Sequence, residues 1–504
     1  MQLARTLATC PPACGLAYGV NTTFDAASGA GDAFPGDGFC ETAPGNNVCT
    51  LRAAIEEANA YSQTHGGASN GIGFNLSTAD PGFNGIFWTI NLASVLPDLI
   101  TNVNIGGPGP DKLTVKRNTA ALHRIFSVTT AVTVTIAGIT ITNGNVGAGG
   151  VGGDLSNSSG TVSLTNCVLS GGVSKNGGCV FNNTGTVSFT DCTLSGNAAG
   201  NIGGGIQNFG TANFTNCTLS GNSSNGNFGG GIYNAGIVNV TNCTLSGNFT
   251  MAVSTSGGGI YNSGTANVTN STISGNTAAN AGGGIFSVGS ATNIKSSIIA
   301  LNTSGNTGPD LSGSFTPQGF NLIGKNDGAA ASFPPGNPNG NNDIVGTSVA
   351  PINPNLDPGG LQNNGGKTKT IALLPDSLAI DKGTSIGSTG TLTTDQRGPG
   401  YARTVDGLTI ANAAGGDGTD VGAFEFGVTL RLLSVARSGN DIVITVQAAQ
   451  GATYRLERKL NLADAQWQII PGVNDSTANS TGPIPLTDLG GAASGKAFYR
   501  VRLL

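Results

Sequence analysis

A seven-residue motif recurs five times in the middle of the chain, and this repeat restricts the fold more than any other feature. Its copies, such as NCTLSGN, begin at Asn166, Asp191, Asn216, Asn242 and Asn270, with spacings of 25, 25, 26 and 28 residues. A second motif of the form GGGIYN follows in phase and begins at Gly177, Gly203, Gly229, Gly257 and Gly282. The chain therefore builds one structural unit about every 26 residues.

Each unit contains three short segments with the character of β-strands, which one copy shows as 231–234, 237–241 and 243–246. Glycine and asparagine, which tolerate left-handed backbone angles, fill the turns between them. The period is too short for a four-stranded propeller blade. Rungs stacked ~4.8 Å apart would bury the apolar side that a single rung leaves open. We therefore predict a parallel β-helix of roughly a dozen rungs, about 60 Å long.

Alternation along these strands predicts which side chains face the interior. Those expected inside are Ile232, Val238, Val240, Cys243 and Leu245. Those expected outside are Tyr233, Asn239 and Thr244. Equivalent residues of successive rungs should then stack in columns.

Two of these columns have a structural interpretation. The first contains Cys167, Cys192, Cys217 and Cys243, continued by Ser271. We interpret its cysteines as small apolar filler rather than a metal or redox centre. The second is a turn column of Asn197, Asn222, Asn248, Asn276 and Asn302. Its amides should hydrogen-bond from rung to rung.

Charge and composition exclude several classes of protein. Of the 504 residues only 10% are charged, the net charge is −5, and no basic block exists, so we expect no nucleic-acid partner. A chain with 82 glycines lacks the composition of a helical bundle. No run of ~18 apolar residues occurs, so we also expect no transmembrane segment.

The composition changes near the C-terminus. Alternating strands with turn clusters over 428–504 predict a small antiparallel β-sandwich. We expect an N-terminal segment with a capping helix over 1–70 and the β-helix over 71–427, with regular repeats at about 160–302.

The predicted helix follows Cys49. Thr50 is a suitable N-cap, and the next residues give one apolar face formed by Leu51, Ala54, Ile55 and Ala58. Residues 49–60, together with 20–25 and 38–40, resemble the CSLREA motif of secreted bacterial β-helix proteins. The resemblance implies a short helix that plugs the first rung, which would otherwise be an open edge.

After the repeat, from about 303 to 427, the chain resembles the choice-of-anchor Q domain. The matching segments are 319–324, 355–361, 364–368, 373–377, 379–383, 394–399 and 420–425. Together the two resemblances cover roughly 20–427. They imply an all-β, right-handed parallel β-helix of the pectate-lyase-like kind, extracellular or at the cell surface, and no particular reaction.

Cys40 and Cys49 bracket a short Gly/Pro/Asn loop and are candidates for a disulfide in an oxidising compartment, with free thiols as the alternative.

The first twenty residues do not form a convincing secretory signal, so the start is a trimmed or miscalled terminus or export uses another route. No Cys-x2-Cys pair with matching histidines supports zinc.

The repeat region is poor in groups for proton transfer. Between 150 and 320 the charged residues are Asp154, Lys175, Asp191, Lys295 and Asp310. Glycoside hydrolysis needs two carboxyls facing one bond. We therefore predict no catalytic residue there and no cofactor.

A second group of charges occurs late in the chain, at Asp381, Lys382, Asp395, Arg397, Arg403, Asp406, Asp417 and Asp420. We interpret this group as loops held by ion pairs, with a catalytic site as the alternative.

Asp25, Asp32 and Asp37 could ligate calcium, but their spacing matches no EF-hand, and we predict no metal site.

One outward column has a functional interpretation. Its members are Phe181, Gln207, Tyr233, Tyr261 and Phe286. Aromatic rings ~4.8 Å apart could stack on a glycan chain, or they could stack on each other.

A second outward column, of Thr193, Thr218, Thr244 and Thr272, forms a hydroxyl array. That array suits an ice or crystal surface, although β-propensity explains threonine equally well.

These observations lead to three hypotheses. The first is a non-enzymatic extracellular or cell-surface protein with an adhesive or structural role, whose aromatic residues Phe181, Tyr233, Tyr261 and Phe286 contact a glycan. The second is a polysaccharide lyase or glycoside hydrolase with its site in the terminal rungs. The third is a self-associating subunit of an extracellular fibre.

Overall fold

The protein is an all-β parallel solenoid of about 10 turns, with 40% strand and 4% helix. The computed structural model describes residues 15–25, 31–289, 291–387, 390–406 and 410–427. In the C-terminal region it describes 431–448, 453–461, 464, 466–470, 475–477, 482–494 and 497–503. The predicted parallel β-helix is confirmed, with slightly fewer turns than the sequence suggested.

Four parallel sheets, here named A to D in the order that one turn of chain visits them, form the walls of the solenoid. The strands of sheet A are Ala17–Val20, Asn70–Phe74, Val103–Gly106, Thr133–Ala137, Thr161–Thr165, Thr186–Thr190, Thr211–Thr215, Ile237–Thr241, Thr265–Thr269, Ala291–Lys295 and Thr316–Pro317. The strands of sheet B are Trp88–Leu92, Leu113–Arg117, Thr140–Thr142, Val168–Ser170, Thr193–Ser195, Thr218–Ser220, Thr244–Ser246, Thr272–Ser274, Ile298–Ala300, Leu322–Ile323 and Ile344–Val345.

Sheets C and D are shorter. The strands of sheet C are Val173–Asn176, Ala198–Ile202, Ser223–Ser224, Phe249–Thr250, Thr277–Ala278 and Thr303–Ser304. The strands of sheet D are Phe126–Val128, Leu155–Asn157, Val180–Asn182, Ile206–Asn208, Ile232–Asn234, Ile260–Asn262, Ile285–Ser287 and Leu311–Gly313. The sequence predicted three strands in each unit and missed sheet C, because four of its six strands have only two residues and are too short to show alternation.

Successive repeats pair in register, so equivalent residues stack. Leu219 lies opposite Leu245 in sheet B, and Ile206 lies opposite Ile232 in sheet D. The five side chains predicted to point inward are all fully buried in one continuous core. Alternation therefore assigned the interior of the solenoid correctly.

The first residue of each repeat motif turns the chain from sheet A to sheet B. These residues have left-handed backbone angles: φ is 50° at Asn166, 55° at Asp191, 56° at Asn216, 51° at Asn242 and 46° at Asn270. Asparagine and aspartate adopt this conformation more readily than other non-glycine residues. The turn from sheet A to sheet B requires this conformation, which is why the motif begins with Asn or Asp.

The two predicted structural columns are present. Cys167, Cys192, Cys217 and Cys243 are buried free thiols, as is Cys179. In the asparagine column each side-chain Nδ2 donates to Oδ1 of the next rung, at 2.8 Å for Asn197 to Asn222 and 2.9 Å for Asn276 to Asn302. A second buried ladder, not predicted, links Asn157, Asn182, Asn208, Asn234 and Asn262.

A helix covers the first end of the solenoid. It spans Leu51–Thr64, and Thr50 Oγ1 accepts from the Ala53 N–H at 3.0 Å, as the N-cap prediction requires. The four residues of its predicted apolar face all join the interior core. At the other end, Phe315 and Phe333 are buried in the same core. Both ends of the apolar interior are therefore covered.

The described residues of 352–426, which are 352–387, 390–406 and 410–426 and are here called the covering segment, pack on the outer face of sheet B. They form a second core in which Ile298 and Leu322 of sheet B contact residues such as Leu373 and Val421. This packing overturns the idea that the threonine column is a free hydroxyl array. Thr218, Thr244 and Thr272 are buried because the covering segment lies on them.

The C-terminal region forms two antiparallel sheets. One contains Arg431–Ser438, Asp441–Ala448 and Gly482–Asp488. The other contains Thr453–Lys459, Gln468–Ile469, Ser476–Thr477 and Phe498–Leu503. A small core that includes Ile444, Val446, Tyr454, Leu456 and Leu486 lies within this region. Two short 3-10 helices, Gly147–Gly149 and Gly491–Ser494, complete the elements.

Candidate functional site

The aromatic column lies on the outer face of sheet D. The strand register places Phe181, Gln207, Tyr233, Tyr261 and Phe286 directly opposite one another. The ring centroids of Tyr233 and Tyr261 are 5.3 Å apart with the planes 4° from parallel. Those of Tyr261 and Phe286 are 5.5 Å apart at 21°. The rings stack on each other, so their faces are largely covered along the column.

Two further rings from the turns join this column. Phe209 is 44% exposed and meets Phe181 and Tyr233 edge to face, at centroid distances of 6.1 and 6.3 Å. Phe228 stacks on Tyr261 at 4.3 Å. Tyr261 is only 9% exposed because rings surround it. We call these six rings, Phe181, Phe209, Phe228, Tyr233, Tyr261 and Phe286, the aromatic patch.

Sequence reasoning missed Phe209 and Phe228 because neither lies at a repeated strand position. Each directly precedes a glycine at a turn, Gly210 and Gly229, and that pattern was the available signal. Gln207 interrupts the column of rings, and Phe209 bridges the gap between the rings on either side. The exposed ring of the patch is therefore one that the strand alternation did not identify.

The other outer faces differ in chemistry from sheet D. Sheet A carries a polar ladder in which Asn239 donates to Asn213, and Asn267 donates to Asn239, each at 2.8 Å. Sheet B lies under the covering segment. Sheet D is the wall on which aromatic side chains follow the rungs with partial exposure to solvent.

Five of the eight late charged residues are buried within the covering segment, namely Asp381, Asp395, Arg397, Arg403 and Asp420. Arg397 pairs with Asp395 at 2.6 Å, and its guanidinium lies 4.2 Å from the Tyr401 ring centroid and 3.9 Å from that of Phe424. Arg403 donates to the carbonyl of Asp420 at 2.7 Å. These contacts fit the interpretation that this set holds loops together.

Buried acids accompany these arginines. Burial raises the pKa of Asp420 to about 7 and that of Glu425 well above its ordinary range, even with Arg403 beside them. Asp395, Asp420 and Glu425 are all fully buried. A polysaccharide cannot reach carboxylates in this arrangement, so they do not form a glycosidase pair.

Three acids meet where the capping helix contacts the loop of residues 31–41. One carboxylate oxygen from each of Asp32, Asp37 and Glu57 lies within 4.8 Å of the other two. Glu57 is fully buried and accepts the backbone N–H groups of Gly36 and Gly38. Burial, with the neighbouring Asp32, raises the pKa of Glu57 to about 8.

This cluster differs from the acids that the sequence suggested. Asp25 is not a member, because it forms a two-pronged ion pair with Arg52 at 2.8 and 3.0 Å. Glu57 takes its place. Glu57 was missed because a helical glutamate next to an apolar stripe is usually solvated, although it lies four residues from Ala53 and Tyr61, both buried.

The loop that carries two of these acids is tied to the helix. Cys40 and Cys49 form a disulfide with an Sγ–Sγ distance of 2.03 Å and a Cα–Cα distance of 5.1 Å. Cys49 immediately precedes the N-cap. Cys10 and Cys14 lie outside the described residues.

The C-terminal sheets contain an apolar cavity of about 660 Å³. Val435, Val446, Trp467 and Phe498 are among its lining residues, and the Arg500 guanidinium lies 4.8 Å from the Trp467 ring centroid. The cavity lining is hydrophobic apart from this arginine and Tyr499, whose hydroxyl donates to Asp488 at 2.8 Å.

The fold and these sites define a parallel β-solenoid with covered ends. A scan against protein-family models and a search of curated proteins both find no match. Among the residues that the structure describes, no helix has the length and apolar character needed to cross a membrane.

Proposed function

We propose that the protein is a non-enzymatic extracellular or cell-surface scaffold with an adhesive role, and that it contacts glycans through the aromatic patch. The observation that carries the proposal is the row of rings on sheet D, which repeats with the rungs at 5.3 and 5.5 Å. A pyranose ring of a polysaccharide presents C–H groups that pack against aromatic side chains. The rigid ladders hold the rings in fixed positions.

Contact should centre on Phe209. Tyr233 and Tyr261 cover each other's faces, whereas Phe209 stands at 70° to Tyr233 and is 44% exposed. A sugar chain lying along the patch would meet the Phe209 ring first. The partly exposed edges of Phe181 and Tyr233 would flank it.

Two observations support an extracellular location within this proposal. The residues that resemble the CSLREA motif form a helix that plugs the first rung, as the resemblance implies. The Cys40–Cys49 disulfide is typical of oxidising compartments. We therefore propose that the chain is a relative of the secreted CSLREA and choice-of-anchor Q proteins.

The test is retention of the purified protein on a panel of plant, algal and bacterial polysaccharides, with release of soluble or unsaturated fragments measured in the same samples. We expect retention without fragments. Phe209→Ala should abolish it, because it removes the exposed ring and leaves the buried ladders untouched. Ile237→Ala is the matched control, since Ile237 is 45% exposed but begins a strand of sheet A.

Each other outcome contradicts part of the proposal. Fragment release would favour the polysaccharide lyase or glycoside hydrolase hypothesis. Retention unchanged in Phe209→Ala would move the binding surface away from the aromatic patch. Absence of retention on every polysaccharide would exclude glycan binding and leave a structural role.

A further inference from the structure

We propose that Asp32, Asp37 and Glu57 bind a calcium ion that fastens the loop of residues 31–41 to the capping helix. The site is separate from the aromatic patch and does not depend on the glycan proposal. It would make closure of the first rung dependent on extracellular calcium.

The spacing of the oxygens suits calcium. Ca²⁺ binds oxygen ligands at about 2.3–2.6 Å, so ligands on opposite sides of the ion are about 5 Å apart. The three carboxylate oxygens lie within 4.8 Å of one another, which is inside that span. Mg²⁺ requires near-ideal octahedral geometry at about 2.0–2.1 Å, which an irregular loop and one helical residue do not readily supply.

The acids keep free lone pairs for an ion. Asp32 Oδ1 accepts the Glu41 N–H at 3.0 Å, while Asp32 Oδ2 is a buried atom whose neighbouring group is the Glu57 carboxyl, with which Asp32 shares a proton until an ion replaces it. Asp37 Oδ1 accepts the Phe39 N–H at 2.9 Å and Asp37 is accessible to solvent. These backbone bonds hold the carboxylates in place, and the accessible side gives an ion and its water ligands a route of entry.

Tyr18 gives an independent indication of a ligand. Its side chain is only 5% exposed, and its hydroxyl has no hydrogen-bond partner, an arrangement that is costly for a buried polar group. Burial, followed by the negative charge of Glu57 and then of Asp32 and Asp37, raises the pKa of this phenol. The hydroxyl thus lies within electrostatic reach of all three acids. A cation there would supply what it lacks, either directly or through a bound water.

No lysine or arginine among the described residues pairs with these three carboxylates. Arg52, the arginine of the capping helix, is held by Asp25. Close carboxylates repel one another, which contributes to the raised pKa of Glu57, and a divalent cation would relieve the repulsion in place of that proton. The site would act beside the Cys40–Cys49 disulfide, which joins the same loop to the start of the helix.

The experiment uses the full chain after dialysis against a chelator. CaCl2, MgCl2 and TbCl3 are titrated separately, and both the melting temperature and the terbium luminescence excited through tyrosine are recorded. We expect Ca²⁺ to raise the melting temperature and to displace Tb³⁺, with Mg²⁺ much weaker. Tyr18→Phe should keep the melting response and change the luminescence, because the phenol next to the ion is altered.

The informative variants are Asp37→Asn and Asp32→Asn, which keep side-chain size and remove one ligand charge each. We expect either to weaken Ca²⁺ binding by roughly tenfold or more, because affinity follows the number of charged ligands. Asp98→Asn, at an exposed acid outside the cluster, is the control and should respond like the wild type. Circular dichroism without calcium checks that each variant is folded.

Two results would overturn the proposal: an absent calcium response in the wild type, or equal responses in Asp37→Asn and Asp98→Asn. An equal response to Mg²⁺ would overturn the assignment to calcium. Loss of glycan retention leaves this outcome unchanged, so the two proposals fail separately.

Discussion

At the scale of single residues, the asparagine ladder shows how a repeat ends. Each Asn Nδ2 donates to the next Oδ1, so the last rung needs an acceptor. Asp310 supplies it: its Oδ1 accepts from both the backbone N–H and Nδ2 of Asn302, each at 3.0 Å. Its Oδ2 accepts the Lys325 N–H at 2.8 Å. Burial raises the pKa of Asp310 from 3.8 to about 6.

This shift predicts a pH dependence of stability. The folded chain holds the Asp310 proton more tightly than the unfolded chain does, so this residue favours folding at low pH. The advantage, on the order of 3 kcal/mol, is lost as the pH rises from about 4 to about 6. Urea unfolding of wild type and Asp310→Asn across this range measures it. The difference in free energy of unfolding between them should change below pH 6 and be constant above pH 7. A constant difference throughout would contradict the assignment.

At the scale of elements, the covering segment depends on a few buried polar contacts with sheet B. Gln396 is the central one. Its Oε1 accepts from Thr244 Oγ1 at 2.5 Å, and its Nε2 lies 2.9 Å from Thr218 Oγ1 and 3.1 Å from the Cys217 carbonyl. Thr218 and Thr244, which the sequence analysis placed in an outward hydroxyl array, are instead hydrogen-bond partners of this glutamine.

Gln396→Ala should loosen the covering segment. The change leaves the buried Thr244 hydroxyl without its acceptor, at a cost of about 1–3 kcal/mol. Tryptic cleavage after Lys369, whose carbonyl accepts from Thr218, should then become faster by on the order of 10- to 100-fold. Gln362→Ala, at an exposed position of the same segment, is the control. Equal cleavage rates in the two variants would show that Gln396 does not hold the segment.

At the scale of the whole molecule, the apolar interior is closed at both ends. Ile55 and Leu51 of the capping helix fill the first rung, and Phe315 and Phe333 fill the last. A solenoid of about 10 turns, about 50 Å long, would stack end to end if either rung were open. The closed ends disfavour the fibre hypothesis.

We therefore expect the wild-type chain to be monomeric by light scattering at micromolar concentration. Ile55→Asp should cause association, because a charge in the first rung displaces the capping helix and exposes strand edges. Gln63→Asp adds the same charge at an exposed position of that helix and should remain monomeric. Filaments of the wild-type chain would contradict this expectation.

Much of the solenoid could be predicted from local pattern. The inward positions of Ile232 and Leu245, the N-cap at Thr50 and the asparagine turn column all follow from repetition and alternation, which depend on neighbours in sequence. Sheet C was missed because four of its six strands have only two residues. Of the aromatic patch, the column was found and Phe209 was not, because turn residues escape a period-two pattern.

The amino-acid sequence by itself determined the repeat, the parallel stacking of the rungs and the asparagine turn column, since each rung reproduces the same local choice. Only the tertiary structure decided which outer face remains open. Gln396 and Thr244 are 152 residues apart in the sequence but hydrogen-bond in the structure, and neither local pattern predicts that contact. The same is true of Glu57 beside Asp32, because a buried acid cluster exists only after the helix has closed the first rung.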